Sequence, residues 1–234
     1  YKNLGEWKFQ YVTKDSPVLC SDQHSTGATL ADLDGDDDLD LLVNGIGTGT
    51  RMFENDGAGQ FVEVLESGFL KTGGPTTTAI ADVDGDGDLD VYVARYRTTT
   101  IRTTGFAILR VGEKKTILPQ DKDHLEITPE GRVLEHGESD KLYLNDGEAR
   151  FSAVPWTRGR FLDSDGKPLL RAPYDWGLAA MFRDIDQDGD PDLYVCNDFH
   201  SEDQIWINSG EGIFQQMSDY SLRHTSTFSM AVDF

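Results

Sequence analysis

An all-β protein, a β-propeller of four-stranded antiparallel blades with cation-binding loops, is the fold class this sequence predicts, and three observations predict it. An acidic nonapeptide occurs three times, as Asp32-Leu-Asp-Gly-Asp-Asp-Asp-Leu-Asp40, Asp82-Val-Asp-Gly-Asp-Gly-Asp-Leu-Asp90 and Asp184-Ile-Asp-Gln-Asp-Gly-Asp-Pro-Asp192. A second pattern, Asn-x-Gly-x-x-x-Phe, alternates with it in four copies that begin at Asn3, Asn55, Asn145 and Asn208. Short apolar runs fill the intervals, among them Leu41-Leu-Val43, Val91-Tyr-Val93 and Leu193-Tyr-Val195 after the acidic segments.

Spacing sets the size of the unit. Asp32 to Asp82 is 50 residues and Asp82 to Asp184 is 102, with most of the excess between Asp82 and Asn145. One unit therefore carries an insertion, placed at residues 95–140, and a smaller extra segment lies between Phe151 and Trp176. Within a unit, small and apolar residues precede each acidic segment, as in Thr78-Ala-Ile-Ala81, and an apolar strand follows it. A third strand alternates toward the Asn, as in Leu142-Tyr-Leu144 and Ile205-Trp-Ile207; Asn-x-Gly supplies a tight turn, and the Phe opens a fourth. Two residues before each Asn stands an aromatic (Tyr1, Phe53, Tyr143, Trp206), expected to pack blades together. The organisation expected is a part-blade over 1–20, a blade over 21–70, a blade over 71–160 with the insertion, a blade over 161–220 and the start of another over 221–234. Since the chain opens and stops within a repeat, it is expected to be a segment of a longer propeller. A four-unit ring closed by its first and last strands is the alternative, and a β-solenoid is the competing architecture.

The acidic segments have the chemistry of a hard-cation site. Carboxylates at positions 1, 3, 5 and 9 and a backbone carbonyl at position 7 can surround one ion, and Ca²⁺ accepts six to eight such oxygens with loose geometry. The expected side-chain ligands are Asp32, Asp34, Asp36 and Asp40, then Asp82, Asp84, Asp86 and Asp90, then Asp184, Asp186, Asp188 and Asp192; Asp38, Asp88 and Asp190 lend carbonyls. Ligation by oxygen alone disfavours zinc and copper. Position 6 favours a residue tolerant of positive φ, which Gly87 and Gly189 satisfy and Asp37 satisfies only at some cost. EF-hands are excluded: position 12 is Val43, Val93 and Val195 rather than Glu, and the flanks are strand-like. About three Ca²⁺ ions would bring the formal charge from −21 to −15, and sixteen of the 42 acidic residues lie in these nonapeptides, a crowding that carries like-charge repulsion unless a cation offsets it.

With 42 Asp and Glu against 21 Lys and Arg, the chain lacks the basic footprint of a nucleic-acid binder. Four Trp, eight Tyr and twelve Phe argue against disorder. No apolar stretch reaches the length of a membrane span. Cys20 and Cys196 are the only cysteines, either one disulfide or two buried thiols. From Arg95 to Lys122, seven basic residues (Arg95, Arg97, Arg102, Arg110, Lys114, Lys115, Lys122) meet only Glu113 and Asp121, a basic island suited to an anionic partner such as an acidic glycan or a neighbouring subunit. Its alternating stretches, Phe106 to Val111 and His124 to Thr128, suit a hairpin. His24, His200 and His224 fall in expected loops, and Asn197, Asp198 and His200 form a polar group whose structural reading outweighs a metal or acid–base one. No nucleophile-elbow motif occurs.

These residues resemble the FG-GAP, or VCBS-type, repeats of integrin α-subunit propellers and many bacterial surface proteins. Tyr194-Val-Cys-Asn-Asp198 and Ser229-Met-Ala-Val-Asp-Phe234 look most like bacterial relatives of the cartilage acidic protein (ASPIC/UnbV) group. The resemblance implies a seven-bladed ring, Ca²⁺ in the blade loops, and an extracellular or cell-surface setting, with the periplasm as an alternative. It implies no reaction. The function expected is a calcium-stabilised scaffold for binding or adhesion to a protein or glycan partner. A carbohydrate-active lyase or hydrolase, or a structural subunit of a surface assembly, are the competing expectations.

Overall fold

The structure, a computed structural model, describes residues 1–12, 16–112, 114–199, 201–218 and 229–233. Glu113, His200, His224, Phe234 and the start of the expected last blade at 221–228 lie outside the described residues. In chain order, β1 (Lys2–Asn3) and β2 (Phe9–Gln10) form a hairpin. The first four-stranded sheet follows as β3 (His24–Ala31), β4 (Asp40–Ile46), β5 (Gly49–Asn55) and β6 (Phe61–Glu63), each pairing antiparallel with the next. Then come β7 (Pro75–Ala81) and β8 (Asp90–Arg95). The insertion after them holds one helical turn (Ile101–Thr104), β9 (Ile108–Val111), β10 (Lys114–Ile117), β11 (Leu125–Ile127) and β12 (Val133–Glu135). Beyond it, β13 (Lys141–Asn145) and β14 (Phe151–Ala153) complete the second sheet, ordered β14-β13-β8-β7. Last are β15 (Phe161–Leu162), β16 (Gly177–Arg183), β17 (Asp192–Asn197), β18 (Gln204–Asn208) and β19 (Phe214–Gln216), ordered β15-β19-β18-β17-β16. The protein is all-β, with meandering antiparallel blades.

The blades face one another. Strand β8 is buried along its whole length because each of its faces meets a different sheet. Val91 and Val93 join Leu33, Leu42, Met52, Tyr143 and Phe151 in a core between the first and second sheets. Tyr92 and Ala94 join Leu142, Trp156, Leu193, Val195 and Trp206 in a core between the second and third. A strand of period two that is apolar on both faces is the pattern of a fully covered sheet. The innermost strands β3, β7 and β16 lie side by side and are tied by threonines. Thr26 Oγ1 donates to Pro75 O at 2.7 Å, and Thr29 Oγ1 meets Thr78 Oγ1 at 2.6 Å. Across the next gap, Thr76 Oγ1 donates to Gly177 O at 2.9 Å and Thr77 Oγ1 to Leu178 O at 2.8 Å. Gly27 allows the approach of β3 to β7, since a Cβ there would meet Thr76 O at 2.8 Å.

Several expectations are corrected. The two alternating stretches of the insertion do not pair with each other: β9 pairs with β10 and β11 with β12, partners separated by only two and five residues along the chain. The third sheet gains a fifth, outer strand, because β15 runs parallel to β19 and buries Phe161 against Trp156, Trp206 and Phe214. Phe53, Tyr143 and Trp206 are buried blade-packing residues as expected, but Tyr1 is exposed because its hairpin joins no larger sheet. Cys20 and Cys196 are both buried free thiols.

At the end of the second sheet remote from its acidic loop, Asp140 is buried and accepts Tyr92 Oη at 2.8 Å and the Arg95 amide at 2.6 Å. Asp203 does the same for the third sheet, taking Tyr194 Oη at 3.0 Å and the Asn197 amide at 2.9 Å. Burial, reinforced by the charge of Asp175, pushes the Asp140 carboxyl up to about 7, and burial pushes Asp175 up to about 6. Both folded values exceed the unfolded one, so protonation favours the fold: this stability is fully present below the unfolded carboxylate range and is lost as pH rises through about 6 to about 7. In calcium-saturated buffer the melting temperature should therefore climb as pH is lowered from about 8 to about 5. Asp140→Asn, which keeps an acceptor for Tyr92, should flatten that climb. A variant profile as steep as the wild type's would refute the assignment.

Candidate metal centres

Each acidic nonapeptide connects the innermost strand of a sheet to the next, and its ninth residue is the first of that next strand. Those ninth residues, Asp40, Asp90 and Asp192, are buried, and each spreads its two carboxylate oxygens over amides from two motifs. Asp40 accepts the Leu33 amide at 3.1 Å and the Asn55 amide at 3.0 Å. Asp90 accepts Val83 at 3.0 Å and Asn145 at 2.9 Å; Asp192 accepts Ile185 and Asn208, both at 2.8 Å. The acidic loop and the Asn-x-Gly turn are thus two halves of one structure, joined by a carboxylate. Burial raises Asp40 and Asp90, the latter to about 6, although the amides pull both down.

The exposed part of each loop folds back on its first carboxylate. Asp32 accepts the amides of Gly35 at 2.9 Å and Asp37 at 3.0 Å, and Asp82 those of Gly85 at 2.8 Å and Gly87 at 3.0 Å. Asp184 accepts Gly189 at 3.2 Å. The fifth carboxylate accepts the seventh amide in every loop, at 2.9, 3.0 and 2.9 Å for Asp36, Asp86 and Asp188. Position 6 has positive φ throughout, +71° at Asp37, +97° at Gly87 and +103° at Gly189. Position 4 does too: Gly35, Gly85 and, at +69°, Gln187, a strained residue the sequence reading did not single out.

This folding gathers carboxylates. Ligand-capable oxygens of Asp32, Asp34 and Asp36 lie within 4.8 Å of one another, as do those of Asp82, Asp84 and Asp86, and those of Asp184, Asp186 and Asp192. Of the expected side-chain ligands, Asp40, Asp90 and Asp188 stand outside these clusters. The seventh side chains of Asp38, Asp88 and Asp190 lie instead against Gly57, Gly147 and Gly210 of the Asn-x-Gly turns. A side chain at those glycines would collide with a carboxylate, which explains their place in the motif. Burial, then the charge of Asp36, raises Asp34; burial, then the charge of Asp86, raises Asp84. Asp84 Oδ1 is buried and accepts no hydrogen bond, an oxygen with capacity for a cation. The donor set, all carboxylate and partly desolvated, fits a hard divalent ion.

Asparagine side chains extend the assembly from blade to blade. Asn145 Nδ2 donates to Leu89 O of its own sheet at 3.2 Å and to Leu33 O of the preceding acidic loop at 2.8 Å. Asn208 repeats this with Pro191 O at 3.3 Å and Val83 O at 2.8 Å. Asn55 donates to Leu39 O of its own sheet at 3.2 Å. Arg160 adds a further bridge, donating to Glu211 O at 3.0 Å with its guanidinium 3.8 Å from Asp84.

The described members of the polar group expected at residues 197–200 are held within the fold. Asn197 donates to Glu202 O at 2.8 Å, and Asp198 accepts Tyr96 Oη at 3.0 Å; His24 is an exposed residue of β3. The basic island is divided: Arg95 is a buried strand residue paired with Glu138 at 2.6 Å and Arg97 is half-buried, whereas Arg102, Arg110, Lys115 and Lys122 are exposed. The side chain of Lys114 lies outside the description.

Residues 32–93 and 184–234 match the FG-GAP-like repeat family. The chain thus carries FG-GAP-like repeats on a β-propeller fold. No curated protein matches it. Similar solved structures include a rhamnogalacturonan lyase, YesW, at 16% identity and a TM-score of 0.38, covering 82% of this chain and 33% of that one. Another is a lectin of Agrocybe aegerita that recognises non-reducing terminal N-acetylglucosamine, at 21% identity and a TM-score of 0.24, covering 79% and 49%. The chain therefore spans about a third of the lyase chain and about half of the lectin chain.

If the asparagine bridges couple blades, Asn145→Ala, which strips a donor from two carbonyls in two sheets, should cost about 1–3 kcal/mol by urea unfolding. Asn55→Ala should cost clearly less. Equal losses would show that the second, inter-blade bond adds nothing.

Proposed function

We propose that this FG-GAP-repeat propeller chain is a calcium-stabilised, non-enzymatic scaffold that binds a protein or glycan partner at the cell surface or outside the cell. The observation that carries the reading is the gathering of three carboxylates within 4.8 Å in each acidic loop, at the end of the sheets where the strands are also tied together. One Ca²⁺ per loop, about three in all, would be held by Asp32, Asp34 and Asp36, by Asp82, Asp84 and Asp86, and by Asp184, Asp186 and Asp192. Asp40, Asp90 and Asp188, with the carbonyls of Asp38, Asp88 and Asp190, would complete the shells. Both oxygens of Asp40 and of Asp90 retain a lone pair beyond their amide bonds, and Asp192, whose Oδ2 accepts the Ile185 and Asp186 amides, retains one on Oδ1, so the tie and the ligation are compatible. Two of the three clusters lie in half-exposed to exposed loops. Sites of that kind suit millimolar extracellular calcium better than the submicromolar cytosolic level, which supports the setting outside the cell. Binding would link to stability because the unfolded chain holds no preformed site.

The partner would bind at the other end of the sheets. There the connection after β8 expands into the insertion, and cavities open between it and the loops that precede β7 and β16. Removal of calcium with a chelator should lower the melting temperature by several degrees or more, since a ligand at one hundred times its Kd stabilises by about 2.7 kcal/mol per site. Restored Ca²⁺ should reverse the loss, and Asp84→Asn should reduce the bound calcium by one ion. A melt indifferent to the chelator would remove the basis for the reading.

A further inference from the structure

One cavity at the end opposite the acidic loops, of about 400 Å³, is lined by three cations with unmet demands. Arg95 is more than nine-tenths buried; its Nη2 is paired with Glu138, yet its Nε has no partner. Arg97 donates weakly to His136 O at 3.5 Å, and its Nε is likewise buried without a partner. Lys141 forms no ion pair among the described residues, and burial, followed by the charge of Arg95, lowers its ammonium pKa. Those Nε atoms are sealed from solvent, so what the cavity offers a ligand is the charge of the three side chains that line it. The lining sets these three cations against two acids: Glu138 is occupied by Arg95 and by the Gly74 amide at 3.0 Å, and Asp123, paired with His124 at 2.7 Å, feels Arg97 only as a smaller influence. The rest of the lining carries the hydroxyls of Thr98, Ser139 and Tyr174. Cations beside hydroxyls and carboxylates recognise a ligand that bears an oxyanion and several hydroxyls on one compact frame.

We propose that this cavity binds an acidic sugar, its carboxylate or sulfate set between Arg97 and Lys141 and its hydroxyls on Ser139, Thr98 and Glu138. The assignment rests on the reading of the chain as a binding scaffold and names the ligand class of its loop end. The volume accommodates one or two sugar rings. Specificity would follow from charge, because a neutral sugar leaves the Lys141 ammonium without a counter-charge.

Titration calorimetry on the full chain in calcium buffer tests this with four probes: a glucuronate-bearing disaccharide, a galactose-sulfate disaccharide, lactose and inorganic sulfate. At least one acidic disaccharide should bind with a Kd below about 1 mM and at least about tenfold more tightly than lactose. The arm that binds identifies the oxyanion as carboxylate or sulfate. Lys141→Gln and Arg97→Gln should each weaken binding by at least about tenfold while leaving the calcium-dependent melt unchanged. Lys141, the first residue of β13, keeps the test valid should the Arg97 variant disturb the insertion. The proposal is overturned if neither acidic disaccharide binds, if lactose binds as well, if Lys141→Gln retains full affinity, or if sulfate alone binds, an adventitious ion only. With the calcium response intact, such a result sinks the cavity assignment and leaves the scaffold standing; a lost calcium response in the wild type sinks the scaffold.

Discussion

Everything at one end of these sheets depends on a buried aspartate that accepts two backbone amides. Asp40, Asp90 and Asp192 each stand where the second strand begins, with one oxygen on the acidic loop and the other on the Asn of the next turn. An isolated buried carboxylate would be costly, and the upward push on Asp90 shows that burial is felt. Two charge-assisted bonds to amides that themselves need partners offset it. A neutral Asn could not serve both amides as strongly, and Glu would displace the loop by a methylene.

The same logic explains the asparagine at the turn. Its amide must donate to two carbonyls, one in its own sheet and one in the preceding loop, which aspartate cannot do. Carboxylate within a blade and carboxamide between blades form a continuous polar seam beside the apolar cores. The cation sites sit on that seam. Because the loop amides already hold the first and fifth carboxylates, a metal ion would enter a turn whose shape is set, and would mainly relieve repulsion among the remaining oxygens.

What the sequence disclosed follows from which constraints repeat. Ligands in a tight turn must alternate, and a glycine must face the seventh carboxylate, so both motifs recur at fixed offsets and could be read by eye. Asp140 and Asp203 escaped because each is one acid at the start of a strand, recognisable only with a Tyr at the eleventh loop position, Tyr92 or Tyr194. Strand β15 is two residues long and carries no period to detect. The insertion's strands alternated legibly, yet alternation does not choose a partner; proximity along the chain did. Composition marked a basic island from Arg95 to Lys122, but only burial separates Arg95 and Arg97 from their exposed neighbours and adds Lys141, which lies outside it.

Connection lengths show how the two ends came to differ. Counting strands outward from the innermost, the link between the first and second at the tied end is eight residues in all three sheets (32–39, 82–89, 184–191). The link between the third and fourth is five in all three (56–60, 146–150, 209–213). At the other end, the link between the second and third strands is two residues in the first sheet (47–48), 45 in the second (96–140) and six in the third (198–203). A loop whose amides must reach one buried carboxylate cannot change length without breaking two hydrogen bonds. At the other end Asp140 and Asp203 take only the amide of the residue that precedes the link, so the residues between can multiply at a loop-closure cost that grows only with the logarithm of their number. The aspartate seam therefore does more than hold strands: by making one end of the sheets invariant, it leaves variation, and with it the cavities and unmatched cations, to the other.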